Sequence, residues 1–303
     1  MILLTGSTGF LGSYIVETLR LAQHEVRALT TGGGDWRSNA LSGLKQMGVE
    51  AVVGNLLNPR VVAAALDGCD AVINAAGGLA AGRDMSAQDI HVEAVRILCE
   101  QAIDKGVQRF IQISCLGANE HSDSEYLRCK WQGEQIVKRQ EFFWTILRPS
   151  YMFGAECELI NCVMPFMRVP FVIPVIGSGL NRLQPICVED VASCVEQSIF
   201  KQETVHQTID LTGPKTYTFT EFIELLRQEL HLVKPTVPVP LNTALKYVKP
   251  VERMYSRLPL NIELFQLLMS DSQSRSTLMK VFFQVSGATL EEYISSILNS
   301  YNQ

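Results

Sequence analysis

The chain of 303 residues has no apolar run long enough to cross a bilayer, which takes roughly 18–20 residues. The most apolar late stretch, Val163 to Ile176, is interrupted by Arg168 and by prolines 165, 170 and 174, and it reads as a loop packed on a core. The eight cysteines form no Cys-x-x-Cys pair and do not cluster with histidine. No metal site is therefore expected. They read as small core residues in a reducing compartment. Positive charge is not in excess: the net charge is −5 and the pI is near 5.6. With no basic stripe, nucleic acid is not an expected partner. The apolar strand at the start leaves no signal peptide in the sequence, so the expectation is a cytoplasmic protein, with peripheral contact at the inner face of a membrane kept open. Internal repeats and low-complexity segments are absent.

What remains is the composition of a globular protein, 47% hydrophobic and 19% charged, long enough to bury a large core. The most informative segment comes first. Ile2-Leu3-Leu4-Thr5 reads as a strand, and Ser13 to Arg20 has the apolar period of a helix. Between them lies Gly6-Ser7-Thr8-Gly9-Phe10-Leu11-Gly12. Strand, glycine turn and helix together make a dinucleotide site. The first glycine permits the turn, the second admits a pyrophosphate, and the third lets the helix pack on the sheet. The helix N-terminus then offers free N–H groups to phosphate.

Further strands are expected at 24–30, 50–54, 71–76, 110–114, 144–149 and 208–211, alternating with helical patterns such as 61–66 and 87–102. Continuous apolar strands with helical crossovers predict a doubly wound parallel sheet, a Rossmann α/β fold. A proline-rich loop region is expected from Pro149 to about Gly179, and the chain after Thr212 reads as mostly helical. The expected division is a nucleotide-binding domain of residues 1–150 plus 183–212, and a smaller, mostly helical C-terminal lobe of residues 151–182 plus 213–303.

Tyr126 and Lys130 are four apart and share a helix face. An ammonium beside a phenol favours the phenolate, which suits Tyr126 to proton transfer near neutral pH. Ser114 ends a strand twelve residues earlier, where its hydroxyl would orient a carbonyl.

These residues resemble the short-chain dehydrogenases/reductases of the extended or atypical kind. The resemblance rests on Gly6-x-x-Gly9-x-x-Gly12, Asn74-Ala75-Ala76-Gly77, Ser114, Tyr126-x-x-x-Lys130 and Leu147-Arg148-Pro149. Phe110 to Ser114, Ala118-Asn119, Ser124 to Lys130, Gly133-Glu134, Leu258-Pro259-Leu260, Leu267 to Asp271 and Thr289 to Tyr293 are similar to the branch of the nucleotide-binding accessory subunit of respiratory complex I. The resemblance implies a catalytic set of Ser114, Tyr126 and Lys130. It implies cofactor contacts from Gly6, Thr8, Gly9, Phe10, Leu11, Gly12, Thr30, Arg37, Asn55, Leu56, Ala75, Ala76, Gly77, Lys130 and Pro149. The narrower branch implies a tightly held nucleotide that serves structure.

Thr30 and Thr31 stand where an acid would bind a ribose 2′-hydroxyl, and Arg37 follows within reach of a 2′-phosphate. The balance favours NADP over NAD. Apolar residues after the sheet, among them Tyr151, Met152, Phe153, Val163, Met164, Phe166 and Phe171, suit an apolar carbonyl or quinone-like substrate better than a sugar nucleotide. Three readings follow: an NADPH-dependent reductase, a non-catalytic assembly or regulatory protein with peripheral membrane or respiratory-complex association, and an NAD-dependent sugar-nucleotide epimerase. The segment 234–257, with five basic residues and Glu252 its only acid, has the character of a basic amphipathic surface.

Overall fold

The computed structural model describes residues 1–31, 35–78, 85–155, 158–240, 243, 267 and 270–301. Most of the basic segment 234–257 lies outside them. The chain divides into two compact units.

The first unit comprises Met1–Pro149, Val188–Leu211 and Ser276–Val285. Seven parallel strands form its sheet: β1 (Ile2–Thr5), β2 (Val26–Thr30), β3 (Glu50–Val53), β4 (Ala71–Asn74), β5 (Arg109–Ile113), β6 (Phe143–Pro149) and, from the later segment, Gln207–Leu211. In space the order runs from the late strand through β6, β5, β4 and β1 to β2 and β3. The central strands β1, β4 and β5 are buried along their whole length. Such continuous burial explains why they read as unbroken apolar runs rather than alternating ones.

Helices cover both faces. They are α1 (Phe10–Leu21), α2 (Asp35–Gln46), α3 (Pro59–Ala65), α4 (Ala94–Asp104) and α5 (Glu125–Lys138), with α1 packed on the later helix Val188–Phe200. Leu3, Val72 and Phe110 point into the layer made by α3, α4 and α5. Successive strand residues face opposite ways, so Leu4, Ile73 and Ile111, also fully buried, supply the other face. This is the doubly wound α/β fold expected from the strand–helix alternation.

The region 87–102 reads as one helix, but the structure opens it with a single π-helical stretch, Asp89–Glu93, before α4. Such wide turns concentrate at functional sites. Helix α5 approaches this turn very closely. A Cβ added at Gly133 would lie 2.3 Å from the carbonyl oxygen of His91.

The second unit comprises Ser150–Cys187, Thr212–Arg275 and Ser286–Gln303. Here the expected proline-rich loop is corrected. Residues 158–167 form helix α6 (Glu158–Met167), and Ile173–Ile176 is a strand paired in parallel with Thr236–Val239. Pro165 lies inside α6, where it removes one helical N–H bond. Pro174 and Pro238 sit in a two-stranded ribbon whose strands are both edges, so each proline turns its lost donor away from the partner. The helix Phe219–Glu229 is closed by a capping box between Thr218 and Glu221. Among the described residues two later helices follow, Leu278–Phe282 in the first unit and Leu290–Tyr301 in the second.

Gly133→Ala drives a methyl group into the π-turn. Overpacking of this kind costs about 1–3 kcal/mol. The expected result is a lower urea midpoint with an unchanged slope.

Candidate active site

The sheet reverses its order between β4 and β1. Connections leave these neighbours in opposite directions, which opens a crevice at their carboxyl ends. The glycine loop leaves β1 at that point. Gly6 has a φ of 72°, and a Cβ there would lie 2.4 Å from the Ala75 carbonyl oxygen. At Gly12 a Cβ would lie 1.9 Å from the carbonyl oxygen of Gly6. The loop is thus folded back on the start of α1, with Gly9 N donating to Gly6 O at 3.0 Å. Gly9 is the N-cap and brings no capping side chain, so the first N–H groups of α1 are left for an anion. Phe10 and Leu11 open the helix. Thr8 Oγ1 lies 3.5 Å from Thr30 Oγ1, which joins the loop to the end of β2.

A buried polar ladder crosses the strand ends. Thr5 Oγ1 donates to Asn74 Oδ1 at 2.6 Å, and Asn74 Nδ2 donates to Gln112 Oε1 at 2.9 Å. The Ala76 N–H donates to Thr5 Oγ1 at 3.2 Å, which holds the Ala75–Gly77 turn beside the glycine loop. Gln112 Nε2 donates to the carbonyl of Ile113 at 3.0 Å, and Lys130 Nζ donates to the same oxygen at 3.2 Å. The ladder therefore runs from the glycine-loop end of the crevice to the lysine.

Helix α5 is capped by Ser124, whose hydroxyl accepts from Leu127 N. Its Tyr126, Lys130 and Glu134 fall at i, i+4 and i+8, one stripe along the helix, and all three are buried. Lys130 Nζ lies 5.7 Å from the centre of the Tyr126 ring. Burial lowers the lysine pKa to about 8, against the opposing pull of Cys115 and Glu134. The ammonium is still the main form at pH 7.

Two contacts change the roles read from sequence. The Ser114 hydroxyl donates to Glu134 Oε1 at 2.5 Å, so its proton is already committed. Glu134 is fully buried, and Arg148 grips it with Nε and a terminal nitrogen, both at 2.7 Å. The Cys115 thiol, whose Sγ donates to the Leu116 carbonyl at 3.4 Å, is pushed up to about 11 by burial. A thiol so raised is not a nucleophile at neutral pH.

Of the other residues singled out from sequence, Pro149 ends β6 and accepts from Leu116 N at 3.0 Å, beside the Ser114 strand end. Asn55 is exposed and its Oδ1 accepts from Leu57 N at 2.9 Å, a turn contact, while Leu56 packs on the core. Arg37 belongs to α2, but its side chain lies outside the described residues, as does the Gly32–Gly34 run. Among the described residues no cluster of three or more His, Cys, Asp or Glu could hold a metal, and no helix is long and apolar enough to cross a membrane. Sequence reading missed Cys115 and His91, and it gave Glu134 no role.

A family described as NAD(P)H-binding matches residues 6–156. The chain is 30% identical to a ceramide reductase of Caulobacter vibrioides, over 74% of this chain and 68% of that protein. The chain belongs to the NAD(P)H-binding short-chain dehydrogenase/reductase family. It is also 29% identical to the mitochondrial NADH-ubiquinone oxidoreductase 40 kDa subunit of Neurospora crassa, over 81% of this chain. The chain spans only 63% of the length of that subunit. Among solved structures, a triphenylmethane reductase from Citrobacter sp. superposes with a TM-score of 0.76 over 98% of this chain and 99% of that one, at 15% identity, which shows the fold. At Gly6 and Gly12 the space a Cβ would take is filled by the backbone of Ala75 and of Gly6, so the loop closes only with glycine at both positions.

Lys130 makes stability depend on pH. Its folded value near 8 lies below the ordinary 10.5, so between these values the unfolded chain holds more protons. Stability therefore rises with pH across that window, by about 3 kcal/mol at most. The rise should be present in the wild type and absent from Lys130→Met in paired denaturation curves. Removing the buried carboxylate in Glu134→Ala strands Arg148 and frees Ser114. An expected loss of about 3 kcal/mol should appear as a lower urea midpoint.

Proposed function

We propose that the chain is an NADPH-dependent reductase of an apolar carbonyl or quinone-like compound, with Tyr126 as the acid. The observation that carries this reading is the Tyr126–Lys130 pair: a buried cation held 5.7 Å from a phenol ring, on the strand-end side where the glycine loop lies. Gly6, Gly9 and Gly12, with the α1 N-terminus, would hold the pyrophosphate. Ala75, Ala76 and Gly77 would line its path towards Lys130. The cofactor, when bound, supplies a hydride to the carbonyl carbon. Tyr126 gives its proton to the carbonyl oxygen, and the Lys130 ammonium stabilises the tyrosinate left behind. Because the Ser114 proton is held by Glu134, Ser114 offers lone pairs rather than a donor, and Tyr126 is left as the proton source. Thr30 and Thr31, standing at the end of β2 where an acid would bind a ribose 2′-hydroxyl, support NADPH over NADH. The reductase named in Caulobacter supports an apolar substrate.

A second reading is favoured by the similarity to the 40 kDa subunit of Neurospora. In it the nucleotide is structural, and the protein associates with a respiratory complex at a membrane face. The Ser114 hydroxyl, held by Glu134, fits a resting site of this kind.

Turnover separates the two. With NADPH and a panel of quinones and long-chain ketones, the reductase reading expects oxidation of NADPH. It also expects a roughly 10²–10⁴-fold lower rate for Tyr126→Phe, with NADPH affinity unchanged. No turnover with any member of the panel, together with nucleotide that stays bound through purification, supports the structural reading instead.

A further inference from the structure

The two most exposed large apolar side chains among the described residues are Val233, at 98%, and Phe171, at 87%. Both lie at one end of the ribbon that Ile173–Ile176 forms with Thr236–Val239, in the second unit. The register pairs Ile173 with Thr236, and Ile173 N donates to Pro235 O at 2.9 Å. Counting back two residues on each strand sets Phe171 beside Lys234, with Val233 next along the chain. Lys234 fastens this corner: its Nζ donates to the carbonyls of Met167 at 3.1 Å and Val169 at 2.9 Å. Pro170, Pro235, Val237 and Pro238 are exposed around it.

The exposure of Phe171 is enforced by its backbone. Strand side chains alternate, so continuing the ribbon backward would put Phe171 on the face of Ile173, which is fully buried. Instead Phe171 has a φ of 66°, and Val172 N donates to Pro170 O at 2.8 Å. An i to i+2 bond around a residue of positive φ is the rare, strained form of the γ-turn. For a bulky side chain that conformation is an outlier, and such strain clusters at functional positions. The fold thus bears backbone strain and solvent exposure together to hold a phenyl ring in water.

The charge around this tip is of one sign. No Asp or Glu occurs from Leu159 to Val188 or from Leu230 to Pro240. Arg168 is exposed three residues before Phe171, and Lys234 stands beside it. Glu224, which accepts from Thr236 of the ribbon, is already paired with Arg227 at 2.7 Å. The basic run 234–257 starts at the same corner. A second copy of the chain is a poor occupant on area. A stable protein interface buries about 800 Å² per partner, and an aromatic side chain supplies at most about 250 Å². One ring and two valines fall short of that. A projecting apolar tip among cations suits a bilayer surface, where apolar side chains enter the acyl boundary and cations meet lipid phosphates.

We propose that the Phe171–Val233 tip docks the chain on an anionic lipid surface, with both apolar side chains in the headgroup–acyl boundary and the charges of Arg168 and Lys234 at the level of the phosphates. The proposal rests on the second unit alone and depends on neither nucleotide binding nor turnover.

The test is co-sedimentation of the full chain with phosphatidylcholine vesicles, with and without phosphatidylglycerol. The wild type should pellet with the phosphatidylglycerol vesicles, less so as salt rises, and stay in solution with phosphatidylcholine alone. Phe171→Ser combined with Val233→Ser should weaken partition roughly tenfold or more and leave the urea midpoint no lower. Phe171→Trp should keep binding, and vesicles should shift its added emission to the blue, a change absent from the wild type. Wild type that stays in solution with anionic vesicles at low salt overturns the proposal, whatever the variants do. So does vesicle binding that the double serine variant keeps in full, which places the contact elsewhere. A concentration-dependent dimer that the serine variant abolishes, without vesicle binding, assigns the tip to a second copy and overturns the proposal as well.

Discussion

A carboxylate with no exposure to water holds the centre of this molecule together. Glu134 sits on α5, receives two hydrogen bonds from Arg148 on β6, and accepts the hydroxyl proton of Ser114 at the end of β5. Burying such a charge costs several kcal/mol, which only a geometry this complete can offset. The return is orientation. Fixing Glu134 fixes the rotation of α5, and with it the stripe that carries Lys130 four residues earlier and Tyr126 eight residues earlier. Lys130 then reaches the Ile113 carbonyl, and Tyr126 stands edge-on to His91.

The rest of the site follows from where the sheet reverses. The glycine loop and the Ala75–Gly77 turn leave adjacent strands, and the Thr5–Asn74–Gln112 ladder ties their ends to the lysine. The glycine loop and the Tyr126–Lys130 pair thus stand on one sheet edge within one unit. This arrangement serves both readings of the protein. A nucleotide held across it can react or can brace the fold. What favours reaction is the cost of Lys130: a buried ammonium destabilises the empty protein, and a purely structural site has little use for it.

Much of the fold was legible because its signals are local. Buried strands such as Ile2–Thr5 and Ala71–Asn74 are continuous apolar runs, and the glycine loop announces its own turn. The second unit was less legible. Prolines at 165, 174 and 238 read as loop breakers, but α6 carries Pro165 within it and the free side of an edge strand tolerates the other two. At the site, the spacing of Tyr126 and Lys130 gives their shared face directly. The role of Glu134 depends on Arg148, which comes from another strand, and no local pattern encodes that pairing. The sequence from 87 to 102 has an ordinary helical period, so the π-turn was hidden. With it was hidden His91, whose neutrality comes from burial and from Lys130 rather than from its sequence neighbours.

The central claim is that the Gly6–Gly12 loop and the Lys130 stripe form one site for one nicotinamide nucleotide. Native mass spectrometry of the full chain with NADPH tests it most directly. The account predicts a single bound nucleotide per chain, lost when Gly12 is replaced by valine in a variant that still folds. Only the nucleotide-free mass at saturating NADPH and NADH, or binding that survives the Gly12 replacement, would contradict it.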